Sequence, residues 1–183
     1  MWPFLYVPGD RLSTAELTAA CLDGDLVEIG DAYMPADAVE TREMRAASLR
    51  TLVRPDRALT HASAAWVHGA IADPPSVHTL QRASPRRNGV PVGSRVRFRD
   101  VALPTADVMV VAGVRVTTPV RTLVDVARAQ VAGGTRDPVL DALIAWRDGL
   151  LDEAIAWLER SGPVHHKRAA RDELRRRQDV VTR

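Results

Sequence analysis

The chain has 183 residues, 46% of them apolar and 26% charged, with a net charge of +2. That length suits one domain, or one domain with a small appendage, and the apolar share is too high for a disordered chain. Its one cysteine, Cys21, excludes an internal disulfide and a multi-cysteine zinc site. No stretch approaches the ~20 apolar residues of a membrane span. The apolar start, residues 1–7, lacks a basic leader, so a cytoplasmic protein is expected.

Ser13-Thr14-Ala15-Glu16 is a capping box, predicting a helix that carries Leu17, Ala20 and Cys21 inward and stops at Gly24. Cys21 reads there as a small buried hydrophobe. Residues 26–29 and 32–34 alternate as a hairpin around Gly30-Asp31. A helix plus hairpin is what a winged helix retains without its first helices; the alternative is that these strands extend a main sheet. A helix is predicted from Asp37 to about Val53, with Met44, Ala47, Leu49 and Leu52 apolar, and Pro55-Asp56 ends it. This divides the chain into an N-terminal segment with a linking helix, 1–54, and a main domain, 55–183.

The main domain opens on a short strand at Leu59-Thr60 and a helix from Ser63 to His68 closed by Gly69. Strands follow at 77–82, 96–101, 107–111 and 114–117, the first two separated by an arginine-rich loop at 84–89. The last strand runs into a helix capped by Thr118 with Pro119 in its first position, where the missing N–H costs nothing. Val120, Leu123, Val124 and Ala127 share one face of that helix, and Arg121, Asp125 and Arg128 point off its centre. Asp137-Pro138 starts the next helix, with Leu140, Leu143, Ile144 and Trp146 inward. A short helix at 152–160 and a basic one from about 164 to 178 complete the chain. This order predicts an α+β fold, a small mostly antiparallel sheet with packed helices, preceded by a degenerate winged-helix-like helix and hairpin.

Positive charge is uneven, and 24 of the 25 basic residues are arginine. Six arginines and no acid lie between Arg82 and Arg99. Arg95, Arg97 and Arg99 fall on one strand face, opposite Val96 and Phe98, and with Arg82, Arg86 and Arg87 they could form a phosphate-contacting β-ribbon. Arg168, Arg171 and Arg175 repeat at helical spacing near the C-terminus. These nine arginines are the candidate nucleic-acid contacts, and a solvated surface is the plainer reading of both groups. No aromatic residue interleaves the C-terminal set, which argues against base stacking there.

His61 and His68 are seven apart, without the i, i+4 spacing or third ligand of a metal site, so no metal is assigned. Ion pairing within the helix accounts for Asp125 between Arg121 and Arg128, and Asp141 and Asp148 stand without a partner motif. The chain has no phosphate-binding loop, hydrolase elbow, nucleotidyltransferase Gly-Ser motif or nuclease carboxylate–lysine motif. No catalytic residue and no cofactor is therefore assigned.

The stretch Thr117-Thr118-Pro119-Val120-Arg121-Thr122-Leu123-Val124-Asp125-Val126-Ala127-Arg128 resembles the T-[ST]-P-x-R-T-L-x-D-x-A-R segment of actinobacterial AbiEi-family antitoxins. Leu59 to Gly69, with its small residues and His68-Gly69, is similar to an upstream family helix, and Ala142 to Leu151 resembles the family's Arg-x-Gly-Leu helix end. The resemblance implies a noncatalytic, antitoxin-like transcriptional regulator with DNA and a nucleotidyltransferase-like toxin as its partners. Family members pair a winged helix with an α/β antitoxin domain, and some add an endonuclease-like domain. The resemblance therefore implies a truncated winged helix here and no such C-terminal domain. Two alternatives stay open: an interaction module that has lost DNA binding, and a remnant of a nuclease-associated protein.

Overall fold

The computed structural model describes residues 4–87, 89 and 93–181, the side chains of Val180 and Val181 aside. The N-terminal segment holds helix α1 (Thr14–Leu22), strands β1 (Leu26–Ile29) and β2 (Ala32–Pro35), and helix α2 (Arg42–Ser48). The capping box forms as expected: Glu16 N–H donates to Ser13 Oγ at 3.3 Å, and Ser13 N–H donates to Glu16 Oε2 at 2.8 Å. Leu17 is buried, but Cys21 is only half-buried and Leu22 is 85% exposed. The helix rests on the hairpin along a narrow stripe, so its far side stays in solvent.

The hairpin is a separate two-stranded sheet and does not extend the main one. Its turn glycine, Gly30, has φ +55°, and a Cβ there would lie 2.3 Å from Ser48 Oγ and 3.2 Å from Trp66 Cη2. The turn thus docks on its neighbours through bare backbone. Helix α2 is much shorter than the predicted 37–53. Thr41 Oγ1 accepts from Met44 N–H at 3.2 Å, which fixes the start, and turns on either side replace the remaining helical residues.

A five-stranded sheet follows, built from β3 (Arg57–Leu59), β4 (His78–Arg82), β5 (Val96–Arg99), β6 (Val108–Val111) and β7 (Val114–Thr117). Its order is β5-β4-β3-β7-β6. The β3–β4 and β6–β7 ladders are antiparallel, while β3–β7 and β4–β5 are parallel. The α+β class stands, but the sheet is mixed where a mostly antiparallel one was expected. Alternation assigns side chains to faces and says nothing about the direction of a neighbouring strand.

Helices α3 (His61–His68), α4 (Pro119–Gly133), α5 (Pro138–Trp146), α6 (Leu150–Arg160) and α7 (Lys167–Val181) complete the domain. Two cores result. On one face of the sheet, Leu59, Leu80, Val114 and Val116 pack with Ile29, Met34, Met44, Leu49 and Trp66 of the hairpin, α2 and α3. The second core is helical and joins Leu123, Val124, Leu140, Leu143, Leu150, Leu158 and Leu174. Each such leucine, fully buried, contributes roughly 1.5–3 kcal/mol relative to exposure. Helix α3 belongs to both, with Ala64, Trp66 and Val67 in the first core and Ala65 in the second.

Candidate functional site

The β7–α4 junction forms as its sequence dictates. Thr118 Oγ1 accepts from Arg121 N–H at 3.3 Å, and Pro119 occupies the first turn. The side chains beyond it depart from expectation: Arg121 and Asp125, expected to point off the packed face, are 4% and 2% exposed. Arg121 Nη1 donates to Asp107 Oδ2 at 2.7 Å and its Nε donates to Asp125 Oδ2 at 2.8 Å. Its guanidinium carbon lies 5.3 Å from the Trp157 ring centre, and Trp157 Nε1 donates to Asp107 Oδ1 at 2.9 Å. Arg128 Nη1 donates to the other oxygen of Asp125 at 2.8 Å and its Nε donates to the His165 carbonyl at 2.7 Å.

Two guanidiniums and two carboxylates therefore cancel in charge, and each of the four carboxylate oxygens accepts at least one hydrogen bond. Burial pulls the Arg121 pKa down, but Asp125 and Asp107 outweigh it and the net shift is upward. The intrahelical Arg121–Asp125 pair was legible from its spacing. Asp107 and Trp157, which come from a 3-10 turn (Thr105–Asp107) and from α6, carried no local signal.

This network walls a cleft of about 870 Å3. The cleft floor is the sheet face opposite the first core. There Gln81 and Arg99 are register partners across the parallel β4–β5 ladder, and Ala58 stands beside Gln81 on β3. Gln81 is 4% exposed, yet its side-chain amide bonds to nothing among the described residues. Arg99 also has no ion-pair partner among them; burial lowers its pKa against the pull of Asp125, and Arg97 and Arg128 lower it further.

His61 enters the cleft from the first residue of α3 with φ +54°, a left-handed conformation that costs a side-chain-bearing residue about 1–3 kcal/mol. Its Nδ1 lies 2.9 Å from Thr60 Oγ1, which in turn lies 3.4 Å from Asp125 Oδ2. Burial pushes the imidazole down to about 4, Asp125 opposing and nearby arginines reinforcing, so His61 is neutral at neutral pH. Trp157, Arg160 and residues 161–165 close the far side.

The nine arginines singled out from sequence do not gather into one surface. Because β4 and β5 run parallel, the 84–89 loop is not the tip of a β-ribbon; Asn88 lies outside the described residues. Arg82 and Arg87 both pair with Asp100, at 2.8 and 3.2 Å, and Arg95 pairs with Asp31 at 2.6 Å. Arg171 pairs with Asp172 at 3.3 Å and Arg175 with Glu159 at 2.6 Å. Arg86, Arg97 and Arg168 are exposed and lack an acidic partner among the described residues, and Arg99 lies in the cleft. Val96 and Phe98 do turn to the opposite face, against the first core.

The two histidines serve different places. His68 is buried, its Nε2 donating to the Thr117 carbonyl at 2.8 Å and its ring stacked on Trp146 at 6.0 Å. Burial pushes it to about 4 as well, with the Thr117 carbonyl opposing. Trp146, expected inward, is 36% exposed and covers His68 from outside. Among the described residues, no group of three or more His, Cys, Asp or Glu side chains could hold a metal ion, and no helix is long and apolar enough to cross a membrane.

Fold and junction together define an α+β domain whose strand-to-helix corner is locked by a buried Arg–Asp network. The AbiEi antitoxin C-terminal domain family matches residues 57–174, and the chain belongs to that family. Among solved structures, it is similar to the RV2827C protein from Mycobacterium tuberculosis, with a TM-score of 0.37 and 16% sequence identity over 93% of this chain and 76% of that one. No curated protein matches the chain.

Proposed function

We propose that this protein is a noncatalytic antitoxin that also regulates transcription, acting with a nucleotidyltransferase-like toxin. In this reading residues 55–183 form the antitoxin unit and residues 1–54 a reduced winged-helix-like unit. The carrying observation is the family match over 57–174. The pairing of Asp107 and Asp125 with Arg121 and Arg128 agrees with it, because carboxylates held in such ion pairs make poor acids, bases or nucleophiles. Co-expression with a nucleotidyltransferase-like toxin encoded beside this gene tests the reading. Restored growth is the expected result; a toxin that still arrests growth in the presence of folded protein overturns it.

DNA contact in this reading is salt-sensitive and weakly selective, and it runs through arginines without acidic partners among the described residues. Replacing Arg86, Arg97 and Arg168 together with Ala is expected to flatten the salt dependence of duplex binding by roughly 0.9 per lost phosphate contact. Unchanged affinity and slope would assign those side chains to solvent. A second reading, a protein-interaction module that has lost DNA binding, draws support from the in-chain pairing of Arg82, Arg87, Arg95, Arg171 and Arg175. Rescue of growth without any measurable DNA binding would favour it.

A further inference from the structure

We propose that the cleft beside the β7–α4 junction binds a nucleotide, with Arg99 and Arg160 taking the phosphate and Gln81 reading the edge of the base. This goes beyond the antitoxin reading and does not depend on it.

The starting point is a glutamine amide on the cleft floor. Gln81 is 4% exposed, lines the cleft and has no side-chain partner among the described residues. Its carbonyl and NH2 together offer one acceptor and two donors, a pattern that matches the mixed donor and acceptor edge of a nucleobase.

Charge supplies the second half of the argument. Arg99 is the register partner of Gln81, so their backbones lie about 4.8 Å apart and both side chains rise from the same face. The other arginines of the network are already matched: Arg121 by Asp107 and Asp125, Arg128 by Asp125. Arg99 and Arg160 have no carboxylate partner among the described residues, and both line the cleft. Guanidinium forks of this kind suit phosphate oxygens.

The remaining walls fit a planar ligand. Trp157 is fixed by its bond to Asp107 and by Arg121 over its ring, so it presents a rigid indole to the same space. His61 is held there in a strained backbone conformation. At about 870 Å3 the cleft lies within the usual range for small-molecule sites, roughly 300–1,000 Å3. A bare phosphate or a carboxylate side chain would occupy the guanidiniums and leave Gln81 unpaired. A nucleotide engages both.

Titration of the full chain with AMP, GMP, CMP and UMP, followed by calorimetry, tests this. Inorganic phosphate and a short single-stranded oligonucleotide serve as parallel arms. At least one monophosphate is expected to bind saturably and at least tenfold tighter than phosphate. Arg99→Gln and Gln81→Leu should each weaken it tenfold or more, whereas Arg50→Gln, an exposed charge loss away from the cleft, should leave it unchanged. Should Gln81→Leu fail to fold, Arg99→Gln carries the test alone.

Tighter binding of the free nucleotide than of the oligonucleotide would identify free nucleotide as the source. Saturation by the oligonucleotide alone, still sensitive to Arg99→Gln, would identify a base within a strand. Three results overturn the proposal: phosphate binding as tightly as every nucleotide, Arg50→Gln costing as much as Arg99→Gln, or no saturable binding in any arm up to millimolar ligand.

Discussion

Arg121 and Arg175 are both arginines on helices with a carboxylate in reach, and they differ in almost everything else. Arg121 is met by α4, by the 3-10 turn carrying Asp107 and by the indole of Trp157 on α6, and it lies out of solvent. Arg175 meets Glu159 at 2.6 Å with 51% and 45% of the two side chains exposed. The lesson is that charge density along the chain does not locate the arginines that matter. What decides is how many separate elements converge on one guanidinium and exclude water from it.

The sharpest way to break that comparison is to truncate its buried end. Arg121→Ala leaves Asp107 and Asp125 in the interior with too few partners, and about 3–5 kcal/mol of stability should be lost. Urea denaturation measures it, and a loss under about 1 kcal/mol would make Arg121 no different from a surface residue.

Acid titration probes the next largest effect. The His68 imidazole ordinarily titrates near 6.5 and sits at about 4 in the fold. Between those values the unfolded chain holds a proton that the folded chain does not, so stability rises with pH across the window. It is therefore lost as pH falls from 6.5 toward 4, on the order of 3 kcal/mol from this residue. In His68→Gln, whose amide can still donate to the Thr117 carbonyl, that part of the pH dependence should disappear, with the share from His61 remaining. Melting curves at half-unit pH steps would reveal a slope that does not change, if burial is not what matters at His68.

Thr118→Ala removes one cap at the same junction and should cost about 1 kcal/mol. At the exposed end, Arg175→Ala should change stability by less than about 0.5 kcal/mol, as exposed pairs do. A loss at Arg175 comparable to that at Arg121 would dissolve the contrast.

What was legible in the sequence was local. Thr118-Pro119, Asp137-Pro138 and Ser13 through Glu16 each act within one turn of backbone, and the structure has all three caps where the residues place them. The burial of Arg121 was not legible, because helical spacing fixes its angle on α4 and not what packs against it from outside. The site itself was hidden for the same reason. Gln81 and Arg99 are far apart in sequence and become neighbours only through a parallel register that alternation cannot encode. Of the Arg95, Arg97 and Arg99 stripe only Arg97 and Arg99 lie on β5, Arg95 falling in the turn before it, and the three are split between an ion pair at Asp31, open solvent and the cleft.

Helix α3 also has a consequence for how the molecule breathes. Its residues divide between the two cores, and Trp66 presses on the hairpin turn at Gly30 while His61 reaches the cleft. An excursion that lifts α3 would uncover part of both cores together. Occupancy of the cleft would then suppress that excursion by mass action. Amide protons of the β1–β2 hairpin, which touch no ligand, would exchange more slowly when the cleft is filled.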